Sequence, residues 1–145
     1  MSFREKSLWV MLTALVLAAF FYGHAVAYVS HEQFETVPWR AMTVHAPVVV
    51  LFHIAVAALV AVIGLGHLLI FLFDRRTEAD ERDRLIELKG ERVGGFVLAT
   101  GVFFSLWLAV VSTGNFAFTQ LLLGFWVLAQ ASDYAVQLWL HRRGR

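Results

Sequence analysis

The sequence predicts an all-α, polytopic membrane protein, a bundle of four transmembrane helices with the N- and C-termini on the cytoplasmic side. Three observations predict it. Hydrophobic residues make up 59% of the chain and charged residues only 16%, below the ~25% charged residues of typical soluble domains. Four apolar segments have the ~20-residue length that crosses a ~30 Å hydrocarbon core. The termini and the connections between these segments are alternately rich and poor in basic residues along the chain, as the positive-inside rule requires.

The four predicted membrane helices cover most of the chain, which we treat as a single domain, residues 1–145. They run over approximately residues 8–28, 47–73, 93–111 and 116–140. Because a bilayer offers no water to backbone N–H and C=O groups, segments of this length satisfy their hydrogen bonds by forming helices. We expect the helices to pack through small residues at four-residue spacing, which let backbones approach closely. These pairs are Ala14/Ala18, Ala19/Gly23, Ala57/Ala61, Gly95/Ala99 and Gly101/Ser105.

The distribution of basic residues predicts the orientation. Basic residues lie before the first helix, in the segment 74–92 and at the C-terminus: Arg4, Lys6, Arg75, Arg76, Arg82, Arg84, Lys89, Arg92, Arg142, Arg143 and Arg145. The segment between the first two helices has only Arg40, and residues 112–115 have no basic residue. Positive residues favour the cytoplasmic side, so we predict a multi-pass protein of the bacterial cytoplasmic (inner) membrane.

Residues 1–27 also have features of a signal peptide. A basic start is followed by an apolar stretch and by Ala25-Val26-Ala27, which has the form of a cleavage site. The apolar run is near the upper length limit for a signal peptide, so we expect these residues to be retained as the first membrane helix. Sequencing the N-terminus of the purified protein distinguishes the two interpretations.

Composition excludes several classes of site. The chain has no cysteine, which excludes disulfides, iron–sulfur clusters, thiolate zinc sites and cysteine nucleophiles. The net charge of +1 provides no basic field for nucleic acid. The motifs H-E-x-x-H, the P-loop and G-x-S-x-G do not occur. We therefore predict a non-enzymatic protein that does not bind nucleic acid.

The segment 74–92 has the most distinctive charge pattern. At ~100° per residue its acidic residues form one stripe, the cytoplasmic interaction stripe, of Asp80, Asp83, Glu87 and Glu91. The opposite side carries Arg82, Leu85, Ile86 and Lys89 and suits lipid headgroups. Like charges at i,i+4 repel, and several arrangements could offset or tolerate this repulsion. Alternatives are the arginines at residues 142–145, a partner protein, a cation, or simple solvation of the stripe.

The run DERDRLIELKGER at residues 80–92, together with the opening MSFREK and the apolar helix after it, resembles a family of small bacterial and archaeal membrane proteins of unknown function. Members of that family often lie beside genes for small helix-turn-helix regulators. The resemblance implies the four-helix topology and a membrane accessory or sensory role. It implies no catalytic residues.

The fourth predicted helix carries a polar stripe in its cytoplasmic half: Gln130, Asp133, Tyr134, Gln137 and His141. Polar groups at membrane depth are costly and usually face a partner inside the protein. His67 on the second helix has a matching depth, so an Asp133–His67 hydrogen bond is the expected partnership. The intramembrane polar cluster is thus predicted as His67, Gln130, Asp133, Tyr134 and Gln137. It serves either to fix helix order or as a proton-linked transport site.

His24 and His53 have matching depths on the other side of the membrane. Fourteen residues separate His53 from His67, a spacing similar to that of histidine pairs in di-haem cytochromes b. The fourth helix has no matching histidine pair, so the remaining alternative is a single haem b held by His24 and His53. A further alternative is a metal site formed by these two residues with His31 and His45. No cofactor is the preferred prediction.

These observations favour a non-enzymatic accessory, regulatory or sensory membrane protein. It would act by association with a membrane or cytoplasmic protein, or with another copy of itself. The first alternative is a small proton-linked transporter or channel that uses the His67/Asp133 cluster, and the second is haem-based electron transfer.

Overall fold

The computed structural model describes residues 3–73 and 81–143, and these residues are helical with short connections. The helices are α1 (Phe3–Val29), α2 (His31–Thr36), α3 (Ala46–Phe73), α4 (Glu81–Val111) and α5 (Phe116–Arg143). The described part of the chain contains no strand. Four helices, α1, α3, α4 and α5, are long and apolar enough to cross a membrane. The predicted all-α fold with four membrane-spanning helices is therefore confirmed.

The helix α4 is longer than a membrane crossing requires. It begins at Glu81 and continues without a break through the charged segment into the apolar residues that end at Val111. Its 31 residues extend ~46 Å at 1.5 Å per residue, against a ~30 Å hydrocarbon core. About one third of α4 therefore projects beyond the apolar layer. Residues 74–80, including Asp80 of the cytoplasmic interaction stripe, lie outside the described residues.

The four long helices pack in the order α3–α1–α5–α4. Among the described elements, α4 packs on α5, α5 on α1, and α1 on α3, whereas α3 makes no close backbone approach to α4 or α5. Only 6% of the apolar window of α3 is buried, against 17% for each of the other three long helices. The bundle is therefore open between α3 and α5, and most of α3 faces the surrounding medium.

Glycine permits the close approach of α4 and α5. The buried residues of α4 are small, apart from one isoleucine: Ile86, Gly90, Gly94, Gly101 and Ser105. A Cβ atom on Gly94 would lie 2.9 Å from the Ala129 carbonyl oxygen, so only glycine lets the two backbones come this near. Of the predicted small-residue pairs, Gly101/Ser105 lies at this contact.

Two of the other predicted small-residue pairs do not mediate packing between the described helices. A Cβ atom on Gly95 would have no heavy atom within 4 Å, and Ala99 is exposed. Ala57 and Ala61 are also exposed, on α3. The spacing of small residues alone could not distinguish these faces, because it records which side of a helix is smooth and not which side has a neighbour.

The end of the bundle that carries α2 is closed by two connecting segments that bond to each other. The backbone N–H groups of Thr113 and Gly114 donate to the Arg40 carbonyl at 2.8 and 2.7 Å. The Val44 N–H donates to the Asn115 side-chain oxygen at 2.7 Å. Below this clasp lies the main buried apolar cluster, formed by Val26, Met42, Val48 and Phe116. The clasp joins the α1–α3 connection to the α4–α5 connection and so fixes which helix ends are adjacent.

Candidate functional site

Asp133 lies at the contact between α5 and α4. Its carboxylate oxygen Oδ1 accepts a hydrogen bond from the Gln137 side-chain amide at 2.7 Å. The carboxylate packs against Gly90, and a Cβ atom on Gly94 would lie 3.2 Å from the Asp133 Cβ. The two glycines of α4 thus form a notch that shelters this acidic side chain. Carboxylates at membrane depth usually face the protein interior, and the amide donor offsets part of the cost of removing Asp133 from water.

His67 makes its hydrogen bonds on α3 and α1. Its Nδ1–H donates to the Ile63 carbonyl at 2.8 Å, which leaves Nε2 as an acceptor. The Ser7 hydroxyl of α1 then donates to Nε2 at 2.6 Å. Both ring nitrogens are therefore satisfied without a carboxylate. Gly66, beside His67, contacts Val10 of α1, so this bond lies at a close α1–α3 approach.

The structure does not bring His67 and Asp133 together. His67 faces Ser7 on α1, whereas Asp133 faces α4, and α3 does not pack against α5. The prediction of an Asp133–His67 hydrogen bond was therefore wrong. Matching depth along two helices says how far each residue lies from the membrane surface, but it leaves the helix order undetermined. The order α3–α1–α5–α4 separates these two depth-matched groups.

The other members of the predicted polar cluster lie on α5. Gln137 is 4% exposed and reaches Asp133, and Gln130 and Tyr134 are half-buried. The cluster thus divides into an α5 group centred on Asp133 and a separate Ser7–His67 pair. Sequence reasoning missed Ser7. Ser7 lies four residues after the start of α1 at Phe3, at the same end of the bundle as His67. This matching depth was the signal by which the sequence could have indicated the pair.

A serine hydroxyl that donates to an imidazole, with the second nitrogen held by a carbonyl, is also the arrangement that activates nucleophiles. Ser7 is 8% exposed, and its hydroxyl lies between α1 and α3 against the imidazole. The bond acts as a connection between these two helices.

The predicted outer histidines are dispersed. His24 is exposed and stacks on Phe20 with ring centroids 6.5 Å apart, and His53 donates from Nδ1 to the Val49 carbonyl at 2.8 Å. His31 lies 3.5 Å from Glu35, and His45 bonds to the Val29 carbonyl at 3.2 Å. Within residues 3–73 and 81–143, no three potential metal ligands come together. The predicted four-histidine metal site is therefore not assembled, because each imidazole has a local partner or faces outward.

Two members of the cytoplasmic interaction stripe have partners within the bundle. Glu87 forms an ion pair with Arg4 at the start of α1. The Asp83 carboxylate lies 3.7 Å from Nδ1 of His141 at the end of α5. Glu91 is exposed. Glu87 is thus offset by Arg4 at the start of α1, and Asp83 lies beside the His141 imidazole at the end of α5.

The C-terminal arginines, one of the alternatives for offsetting the stripe, have other contacts. The Arg142 guanidinium lies over the ring of Trp9 at 5.5 Å, and the Arg143 guanidinium over Trp139 at 3.9 Å. These cation–π contacts place the positive groups beside tryptophans, at the level where aromatic side chains meet the membrane surface. Arg145 lies outside the described residues.

A polar pair that sequence reasoning missed lies in the opening between α3 and α5. The Gln120 side-chain amide donates to the Tyr22 hydroxyl at 3.2 Å. Both residues line cavities bounded mainly by α1, α3 and α5. Each is an isolated polar residue in an apolar helix, and only the helix order shows that they meet.

The face of α3 that points away from α1 is also unusual. It carries small exposed residues at helical spacing, Ala57, Ala61 and Gly64, in line with the exposed His53. A Cβ atom on Gly64 would meet no heavy atom within 4 Å. We call these four residues the α3 outer face.

These features define a class: a multi-pass α-helical membrane protein, with polar side chains that connect neighbouring helices and an open side between α3 and α5. Comparison with known proteins found no matching family model, no matching curated protein and no matching solved structure.

Proposed function

We propose that the protein is a non-enzymatic accessory or regulatory protein of the bacterial cytoplasmic membrane, which acts by docking the α3 outer face against another transmembrane helix. The charged end, with the chain termini, would face the cytoplasm. The observation that carries the proposal is the exposure of His53. Its imidazole lies on a smooth face of α3, the long helix with the smallest buried share, 6% of its apolar window.

The depth of His53 argues that this face is covered in the membrane. His53 lies about seven residues before the middle of α3, which is ~10 Å along the axis and inside the ~15 Å half-thickness of the hydrocarbon core. Its Nδ1–H is satisfied by Val49, so Nε2 is the acceptor that faces outward. Ionisable side chains at membrane depth usually face protein rather than lipid. A donor on a docked helix would satisfy Nε2.

The residues that follow His53 on the same face suit a close helix contact. Ala57, Ala61 and Gly64 present little beyond the backbone, and small residues at such spacing let a second helix approach closely enough for dispersion and weak hydrogen bonds. The cytoplasmic interaction stripe is a less suitable docking surface than α3, because Asp83 and Glu87 are paired within the chain. The docking surface that we propose therefore lies on α3.

Cysteine crosslinking tests the proposal directly, because the chain has no cysteine of its own. We expect Ala61→Cys to give a discrete crosslinked product in native membranes, treated with an oxidant and with a short bismaleimide. The matched control is Phe103→Cys, at a similar depth on α4 and 68% exposed. A product at ~33 kDa, twice the 16.4 kDa chain mass, identifies a second copy, and other masses are identified by mass spectrometry.

His53→Leu should reduce the crosslinked fraction at Ala61→Cys about threefold, because an interhelical hydrogen bond in a membrane contributes ~0.6 kcal/mol on average. Equal crosslinking at positions 61 and 103 would show that the product arises from random collision, and would overturn the proposal. So would an Ala61→Cys product whose yield is indifferent to His53→Leu and to dilution of the protein in lipid.

A further inference from the structure

The opening between α3 and α5 contains a continuous groove whose floor is α1. Two adjoining cavities, of about 670 and 400 Å³, occupy it. Residues that line both cavities come from the three helices: Tyr22, Phe52, Val56, Gln120, Leu123 and Trp126. Small-molecule sites typically have volumes of ~300–1,000 Å³, so each cavity alone is large enough for a ligand.

The walls of the groove are apolar, with the polar pair Tyr22–Gln120 at the junction of the two cavities. Among the described residues that line the groove, none is charged. The Gln120 amide uses one N–H to bond the Tyr22 hydroxyl. The hydroxyl hydrogen of Tyr22, the second N–H of Gln120 and the Gln120 carbonyl oxygen are available to a molecule in the groove.

The depth of the pair makes these available groups significant. Tyr22 is six residues past the middle of α1, which is ~9 Å along the axis and within the ~15 Å half-thickness of the hydrocarbon core. An amide or hydroxyl without a partner in such an environment is energetically unfavourable. Acyl chains could fill the apolar cavities, but they would leave these donors unsatisfied.

We propose that the groove binds a neutral, membrane-dissolved molecule with a planar, carbonyl-bearing head and an apolar tail, of the alkyl quinone class. The phenol of Tyr22 and the amide of Gln120 would donate to a head carbonyl. The rings of Phe52 and Trp126 offer flat apolar surfaces to a planar head, and the groove continues past the pair in both directions for the tail. The absence of a charge among the lining residues disfavours an anionic phosphate head.

The fluorescence of Trp126 provides the test, because quinones quench tryptophan at short range. Purified full-length protein in detergent is titrated with a decyl-substituted benzoquinone. We expect a saturable quenching component that disappears in Trp126→Phe and persists in Trp107→Phe, whose tryptophan lies on the exposed side of α4 and is 59% exposed. Gln120→Leu should weaken the saturable binding about tenfold, and Tyr22→Phe about threefold.

A measurement on the unaltered protein keeps the test independent of variant folding. A linear alkane of similar length, which lacks the carbonyls, should fail to displace the quinone at equal concentration. Displacement by the alkane, or quenching that is linear in every variant, would show only partitioning into the micelle and overturn the proposal. Quenching of Trp126 by a brominated phosphatidylcholine that the quinone cannot displace would assign the groove to phospholipid. Protection of Trp126 that grows with protein concentration would assign it to a second copy.

Quinone binding in the groove and docking at the α3 outer face are independent of each other. Loss of quinone binding in Gln120→Leu with an unchanged Ala61→Cys crosslink would support the groove without bearing on docking. Loss of the crosslink in His53→Leu with unchanged quinone binding would support docking without bearing on the groove.

Discussion

The contact between α4 and α5 allows a sharp test, because two adjacent glycines on one helix have opposite surroundings. A Cβ atom on Gly94 would lie 2.9 Å from the Ala129 carbonyl oxygen and 3.2 Å from the Asp133 Cβ, whereas one on Gly95 would meet no heavy atom within 4 Å. Gly94→Ala therefore forces α4 and α5 apart by a few tenths of an ångström or more. Gly95→Ala adds a methyl group to an open surface.

The expected magnitude follows from the nature of the obstacle. The nearest atom is a backbone carbonyl oxygen on a packed helix, which cannot rotate away as the end of a flexible side chain could. Inserting a methylene-sized group into a well-packed contact typically costs ~1–3 kcal/mol. Both substitutions gain the same intrinsic helix propensity, at most ~1 kcal/mol relative to glycine. The free energy of unfolding of Gly94→Ala should therefore be lower than that of Gly95→Ala by ~1–3 kcal/mol.

This difference is measured by unfolding the protein in mixed micelles with increasing sodium dodecyl sulfate. The loss of tertiary contacts between labelled helices monitors the unfolding. Gly95→Ala should retain the stability of the unaltered protein within ~0.5 kcal/mol or exceed it. If the two variants unfold at the same detergent fraction, α4 does not approach α5 through Gly94. The shelter that this contact provides for Asp133 would then also be refuted.

Three further predictions concern the connections and the polar groups. Gly114→Ala should lower the free energy of unfolding by ~1–3 kcal/mol, because its Cβ would lie 2.6 Å from the Ala41 carbonyl carbon; Gly124→Ala, with open space at its Cβ, is the control in the same unfolding assay. Ser7→Ala removes the donor to His67 and should destabilise the α1–α3 contact by ~0.6–2 kcal/mol, seen as faster amide hydrogen exchange in α3 than in α5; equal exchange in the two helices would contradict the bond. Asp133→Asn should leave proton flux into proteoliposomes unchanged while preserving the fold, because His67 is bonded elsewhere and no described relay joins the two; a loss of flux would restore the transport alternative.

The class of the protein was predictable because it depends on quantities that are local in the chain. The lengths and apolar composition of α1, α3, α4 and α5 set their capacity to cross a bilayer, and no other part of the chain is needed to decide this. The helical character of the charged run before Gly94 was predictable for a similar reason, since its residues are good helix formers and it enters an apolar helix without a break.

The partners of the polar side chains depend on helix order, which is not a local property. Asp133 and His67 have matching depths, yet one faces the glycines of α4 and the other Ser7 of α1. The same holds for Tyr22 and Gln120, whose bond brings together residues nearly a hundred positions apart. Depth is a one-dimensional coordinate, so any pair of helices could satisfy it.

The sequence by itself thus determined that the chain is a helical membrane protein, where its apolar spans lie, and which residues carry polarity that needs a partner. Only the tertiary structure decided that α1 separates α3 from α5, that the acidic stripe pairs with Arg4 and His141, and that a groove opens above Tyr22. The physical reason is that lipid acts on every apolar span alike and therefore selects helices by composition. Which helices become neighbours is decided by close packing, at glycines such as Gly94 and at the bonds between connecting segments.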